Sequence, residues 1–166
     1  MPSRKIAEKL ISVATRRGRE KILSKADRQN DLELARELKN ICYEVWTAAP
    51  VKAQKAALAL SSLAQLDPHP EIEAHAFWVS GIAALTGGKL EKTIENLDRS
   101  AAVFRRIKRT HEAAQTQVAK LIVLALLGRY EEAVATGKSA RFPMLASISA
   151  SVTSIFSVRA FLSANA

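Results

Sequence analysis

Four side chains able to bind metal or move protons crowd into one short stretch, "DPHPEIEAH". They are His69, Glu71, Glu73 and His75. Imidazoles and carboxylates in such numbers suggest a divalent cation or a general acid–base pair. Their spacing argues otherwise. His69 and His75 straddle a helix start, and Glu71 and Glu73, two apart, lie on different helix faces. Acidic residues in a first helical turn are expected from the helix dipole alone. Cys42, the one cysteine, sits between Ile41 and Tyr43 in an apolar helical pattern, with no histidine nearby in sequence. It reads as a small core hydrophobe, not as a nucleophile. The "TGGK" run resembles a phosphate loop but lacks the flanking spacing and a Ser/Thr after the lysine. It reads as a helix turn. The expectation is therefore no catalytic residue, no metal and no cofactor.

The elements that carry these residues are predicted to be helices. Hydrophobic residues make up 48% of the chain and aromatics 5%, with alanine abundant, which favours close-packed helices over a sandwich. Apolar positions recur at helical spacing, as in Leu34, Leu38, Ile41, Val45 and again in Ile94, Leu97, Ala101, Phe104. No stretch alternates with period two, so the chain is predicted to be all-α. The lone cysteine excludes an intrachain disulfide and fits a reducing cytoplasm. No stretch has the length and apolarity of a transmembrane helix, and the basic start has no continuous apolar region like a secretory signal.

The net charge of +9 raises nucleic acid as a partner. Most of it lies in residues 1–30, which hold nine Lys/Arg against three Asp/Glu. The other basic cluster, Arg105 to Arg109, falls where a helix should end and complements its dipole. Nucleic acid is thus disfavoured, and a membrane partner is not expected.

Self-similarity organises the rest. Gly88 matches Gly128, Leu90 matches Tyr130, Glu91 matches Glu131 and Ile94 matches Val134, all displaced by 40 residues. The first unit replaces the glycine turn with Ala48-Ala49-Pro50. Each unit reads as two antiparallel helices: 31–47 with 51–66, 71–85 with 90–107, and 112–127 with 130–140. A turn glycine such as Gly128 supplies the positive φ of a helix C-cap. Tyr130 and Leu90 are expected to fill the space beside the turns. Such hairpins cannot bury both faces alone and must stack. Three segments follow: a basic helical segment 1–30, three hairpins over 31–142, and a tail, 143–166.

The motifs "GKLEKTI" and "GRYEEAV", a turn glycine followed by a bulky residue, a small residue and Ile/Val, resemble the tetratricopeptide repeat (TPR). So does Gly81 in "FWVSGIAAL". Leu121 and Gly137 depart from the pattern, and the period exceeds the family's usual length of about 34 residues. The run "AAQTQVAKLIVLALLGRYEEAVATGKSAR", with "ELKNICYEVWTAAPVKAQKAALAL" before it, is similar to the N-terminal repeats of bacterial TPR proteins that carry a caspase-like CHAT peptidase. That resemblance implies an all-α stack of short hairpins and a non-catalytic, protein-binding role in the cytoplasm, as a truncated part of a signalling protein. The alternative is a nucleic-acid-binding helical repeat that uses the basic N-terminal segment.

In a stack of hairpins the first helices line the concave face, where a partner peptide or helix lies. By position His75, Trp78 and Gln115 are the candidate partner-binding residues, with Ile82, Val118 and Ile122 beside them. The tail "FPMLASISASVTSIFSVRAFLSANA" carries no acidic residue and no repeat signal. A divergent capping helix, a frameshifted end and a weak membrane anchor compete for it, and the frameshift is preferred. An uncovered last hairpin would then expose Val134 or Leu124 and promote self-association.

Overall fold

Proline fixes two helix starts, at Pro50 and Pro70, where its missing N–H costs nothing. At the second, His69 Nδ1 accepts the Glu71 amide at 3.2 Å and so caps the helix. The computed structural model describes residues 2–25 and 28–139. These form α1 (Pro2–Ser12), α2 (Arg16–Leu23), a single 3₁₀ turn (Arg28–Asn30), α3 (Asp31–Val45), α4 (Pro50–Leu66), α5 (Pro70–Thr86), α6 (Leu90–Arg106), α7 (Thr110–Leu126) and α8 (Tyr130–Ser139). There is no strand among the described residues. The helix 112–127 expected from sequence begins at Thr110 instead, preceded by Arg109 as its N-cap residue.

One turn design recurs after α5, α6 and α7. The amides of Lys89, Arg109 and Arg129 donate to the carbonyls of Ala84, Phe104 and Leu124 at 2.8–2.9 Å. The amides of Gly88, Lys108 and Gly128 close the inner ring of each turn. This is the Schellman motif, which needs a residue at positive φ. Gly88 (φ 70) and Gly128 (φ 72) supply it, and so does Lys108 (φ 60), which sequence alone marked only as a helix break. Nothing lies within 4 Å of a Cβ placed on Gly128, so backbone strain alone sets the cost of a side chain there. Gly128→Val is expected to destabilise the fold by about 1–2 kcal/mol. Lys108→Gly is expected to stabilise it by about 0.5–1 kcal/mol, relief of strain exceeding the added freedom of the unfolded chain. Urea melts of both variants check the pair, and equal shifts of one sign would sink it.

These short turns force neighbouring helices antiparallel. Between α5 and α6, Ser100 Oγ donates to Ala74 O at 2.8 Å in the buried seam, and a Cβ on Gly81 would come within 3.2 Å of Leu97. Thr93, fully buried, lets the two backbones approach there. The helix pairs α3/α4, α4/α5, α5/α6 and α6/α7 are all closely packed. One apolar core runs from Ala7, Leu10 and Leu23 through Leu38, Leu60 and Ile72 to Leu97 and Phe104. The N-terminal segment thus covers the outer side of the first hairpin, its α1 packed on α3 and α4. A smaller cluster, Leu85, Ile94, Val123 and Leu124, ties α7 and α8 to the turn after α5.

Two expectations at the last hairpin are corrected. Tyr130 is exposed and fills no space beside its turn. Leu124 is fully buried, because α7 turns it into the smaller cluster; Val134, on the far side of α8, is 57% exposed. Ala140 and the tail 143–166 lie outside the described residues.

Candidate functional site

The first helices of the three hairpins, α3, α5 and α7, meet around a groove of about 340 Å³. α3 packs closely on α5, whereas α7 leans on α6, which leaves the groove open between α5 and α7. From α3 come Arg36, Lys39 and Asn40, and from α5 come Glu71, His75 and Trp78. The α7 side gives Arg109, His111, Glu112 and Gln115.

Glu71 closes one end. Its carboxylate is 7% exposed and joins all three helices. Arg36 Nη2 donates to Oε1 at 2.7 Å and Arg36 Nε to the same oxygen at 3.2 Å, while Arg109 Nη2 donates to Oε2 at 3.0 Å. Burial by itself raises the carboxyl's pKa, but the hydrogen bonds from Arg36 and then Arg109 outweigh it and hold it below the usual range. The two arginines stay about half in solvent, so the pairing serves geometry more than net stability.

The floor is aromatic. His75 and Trp78, each 3% exposed, stack at 6.3 Å between centroids, and Phe104 meets both edge-on from behind, at 5.2 and 6.0 Å. Lys39 Nζ lies 5.6 Å from the Trp78 ring, within cation–π range. Burial pushes the Lys39 amine below its ordinary value; Glu112 opposes this and Arg36 adds to it. The His75 imidazole is pushed down to about 4, first by burial and then by Lys39, against the pull of Glu71. It is therefore neutral near pH 7. His75 Nε2 stands 3.8 Å from Glu71 Oε1, while His75 Nδ1 is buried without a hydrogen-bond partner; Tyr43 meets the Trp78 ring edge-on at 5.5 Å.

Histidine, carboxylate and amine are thus close together, and among the described residues no serine, threonine or cysteine lines the groove with them. Cys42 is fully buried and its thiol is pushed up to about 12 by that burial. Among the described residues no group of three or more His, Cys, Asp or Glu is placed to hold a metal. No described helix is long and apolar enough to cross a membrane. What the groove offers is a cation, an aromatic floor and amide groups on both walls, a surface suited to a polar extended segment.

The three residues singled out from sequence converge here. His75 and Trp78 form the floor and Gln115 stands exposed on the rim, its Nε2 3.0 Å from His111 Nε2. Ile82 is buried in the core, and Val118 and Ile122 do not line the groove. Arg36, Lys39, Asn40, Glu71 and Arg109 were not anticipated. The sequence pattern attaches Glu71 to its helix dipole and Arg109 to the end of α6. One signal could have paired them: Arg109 meets Glu71 across 38 residues, and Arg129 meets Glu91 across the same 38. In both cases the residue before one helix grips the second residue of the helix two before it. No family model, curated protein or solved structure matches the chain.

Proposed function

We propose that the chain is a non-catalytic TPR-like scaffold whose groove between α3, α5 and α7 receives a segment of a partner protein. The observation that carries this reading is the groove itself, built from α3, α5 and α7 and lined by the His75 and Trp78 rings with Lys39, Asn40 and Gln115 around them. The same turn recurring every 20 residues, at Gly88, Lys108 and Gly128, with its glycine form at 40-residue spacing, supports a stacked-hairpin solenoid, in which such a face is the usual docking surface. The resemblance of its sequence to repeats that precede CHAT peptidases is what supports reading the chain as a module of a bacterial, cytoplasmic signalling protein of that kind. Genomic DNA read onward in every frame tests that part, and finding neither further repeats nor a peptidase would remove it.

Docking is tested with a photo-crosslinking side chain placed at Gln115, and separately at Gln54, which is exposed on α4 away from the groove. One polypeptide is expected to be captured from Gln115 and not from Gln54. Lys39→Glu reverses the groove's half-buried cation and is expected to weaken that capture by about tenfold. Equal capture from both positions, or no effect of Lys39→Glu on a folded chain, would move the interface elsewhere.

A further inference from the structure

On α1 and α2 the acidic residues are already engaged. Arg4 is held by Glu8, Glu37 and Glu44, and Arg16 by Glu20. Arg19 turns inward to the carbonyls of Val13 and Ala14. Lys5, Lys9, Arg17, Lys21 and Lys25 remain exposed, with no carboxylate within ion-pair distance among the described residues. Lys5 with Lys9, and Arg17 with Lys21, stand four apart on a helix, where like charges repel. Among the described residues no carboxylate relieves this excess positive charge.

The neighbouring surface narrows what would relieve it. α2 packs on α4, and Arg16 Nη2 donates to Gln65 Oε1 at 3.0 Å. Along its outer face α4 presents Val51 and Leu58, 65% and 53% exposed and seven apart, hence on one side of the helix, with Lys52 and Lys55 beside them. Neither α1 nor α2 carries an aromatic residue, so these helices offer no platform on which a nucleic-acid base could stack. Exposed aliphatic side chains flanked by Lys52 and Lys55, on a helix that packs against the lysine-bearing α1 and α2, are instead the chemistry of a bilayer interface.

We infer that the outer face of α1, α2 and α4 docks on an anionic phospholipid surface, its free lysines meeting the headgroups and Val51 and Leu58 entering among them. The attachment is peripheral, because the apolar faces of α1 and α2 (Ala7, Leu10, Leu23) are spent on the core. It adds a membrane partner that the sequence did not lead us to expect, and it is independent of the groove.

The full chain is sedimented with vesicles of phosphatidylcholine alone and with vesicles rich in phosphatidylserine, at low and at high salt. Binding is expected only to the phosphatidylserine vesicles, and is lost as salt rises. Each of Lys9→Gln and Lys21→Gln, both at exposed positions, is expected to lower the partition coefficient by about fivefold. Leu58→Gln is expected to weaken vesicle binding without changing its salt dependence. No sedimentation with phosphatidylserine at low salt overturns the proposal. So does polyuridylate binding that is tighter than vesicle binding and indifferent to Leu58→Gln, which would identify a nucleic-acid face. Helical circular dichroism of each variant shows that a loss of binding is not a loss of fold.

Discussion

Between pH 7 and pH 4 the folded chain is expected to lose about 3 kcal/mol of stability through His75 alone. In the unfolded chain the imidazole titrates near its ordinary 6.5, whereas in the fold burial against Trp78 and Phe104, reinforced by Lys39, holds it at about 4. A depressed folded value means that the unfolded state takes up the proton first. The contribution is therefore fully present above pH 6.5, declines as pH falls, and is gone once pH passes through about 4. No large discount for solvent applies, since the side chain is only 4% exposed. Glu71 acts in the same direction but further into acid. Its folded pKa is depressed, so its contribution survives above the ordinary carboxyl range and disappears below it. Urea midpoints measured from pH 7 to pH 4 test the claim. His75→Phe, which cannot titrate, is expected to flatten the curve between 6.5 and 4 whatever its absolute stability. Parallel curves for the wild type and His75→Phe would show that the histidine is not held neutral.

Why His75 was visible in the sequence, and Glu71 was not, follows from the range of the forces involved. The helices, their turns and the placing of first helices around one face are local consequences of apolar spacing, proline and glycine, all of which can be read along the chain. His75, Trp78 and Gln115 follow from that placing without knowledge of a single contact. The Arg36–Glu71–Arg109 bridge depends on which helices touch after the hairpins stack, and nothing local to Glu71 distinguishes a buried carboxylate from one that merely faces a helix dipole. Lys108 shows the same limit on a smaller scale. Its positive φ comes from the geometry needed to turn α6 into α7, imposed on a residue with no preference for it. Arg109, next along, illustrates why the composition of "RRIKR" misleads: a cation read as completing one helix end in fact anchors the start of another.

The aromatic floor leads to a second large effect, at Phe104. Its ring is fully buried and backs both His75 and Trp78. Phe104→Ala is expected to cost about 3–5 kcal/mol, the lost transfer of the ring plus the cavity left under α5. Phe104→Leu, which keeps most of the volume, is expected to cost less than about 1.5 kcal/mol. The cavity has a consequence that simple loss of packing does not. It opens room beside His75, whose Nδ1 already lacks a partner, and water entering there hydrates the imidazole. The folded pKa of His75 then rises from about 4 toward 6.5, and the acid slope that it causes shrinks. Phe104→Ala should therefore lower stability at pH 7 and flatten its dependence on pH, while Phe104→Leu should leave the slope near the wild-type value. The two readouts separate the causes. A large loss at pH 7 with an unchanged slope would mean that the site collapses dry around the missing ring; a small loss would mean that Phe104 is not the support on which the groove floor rests.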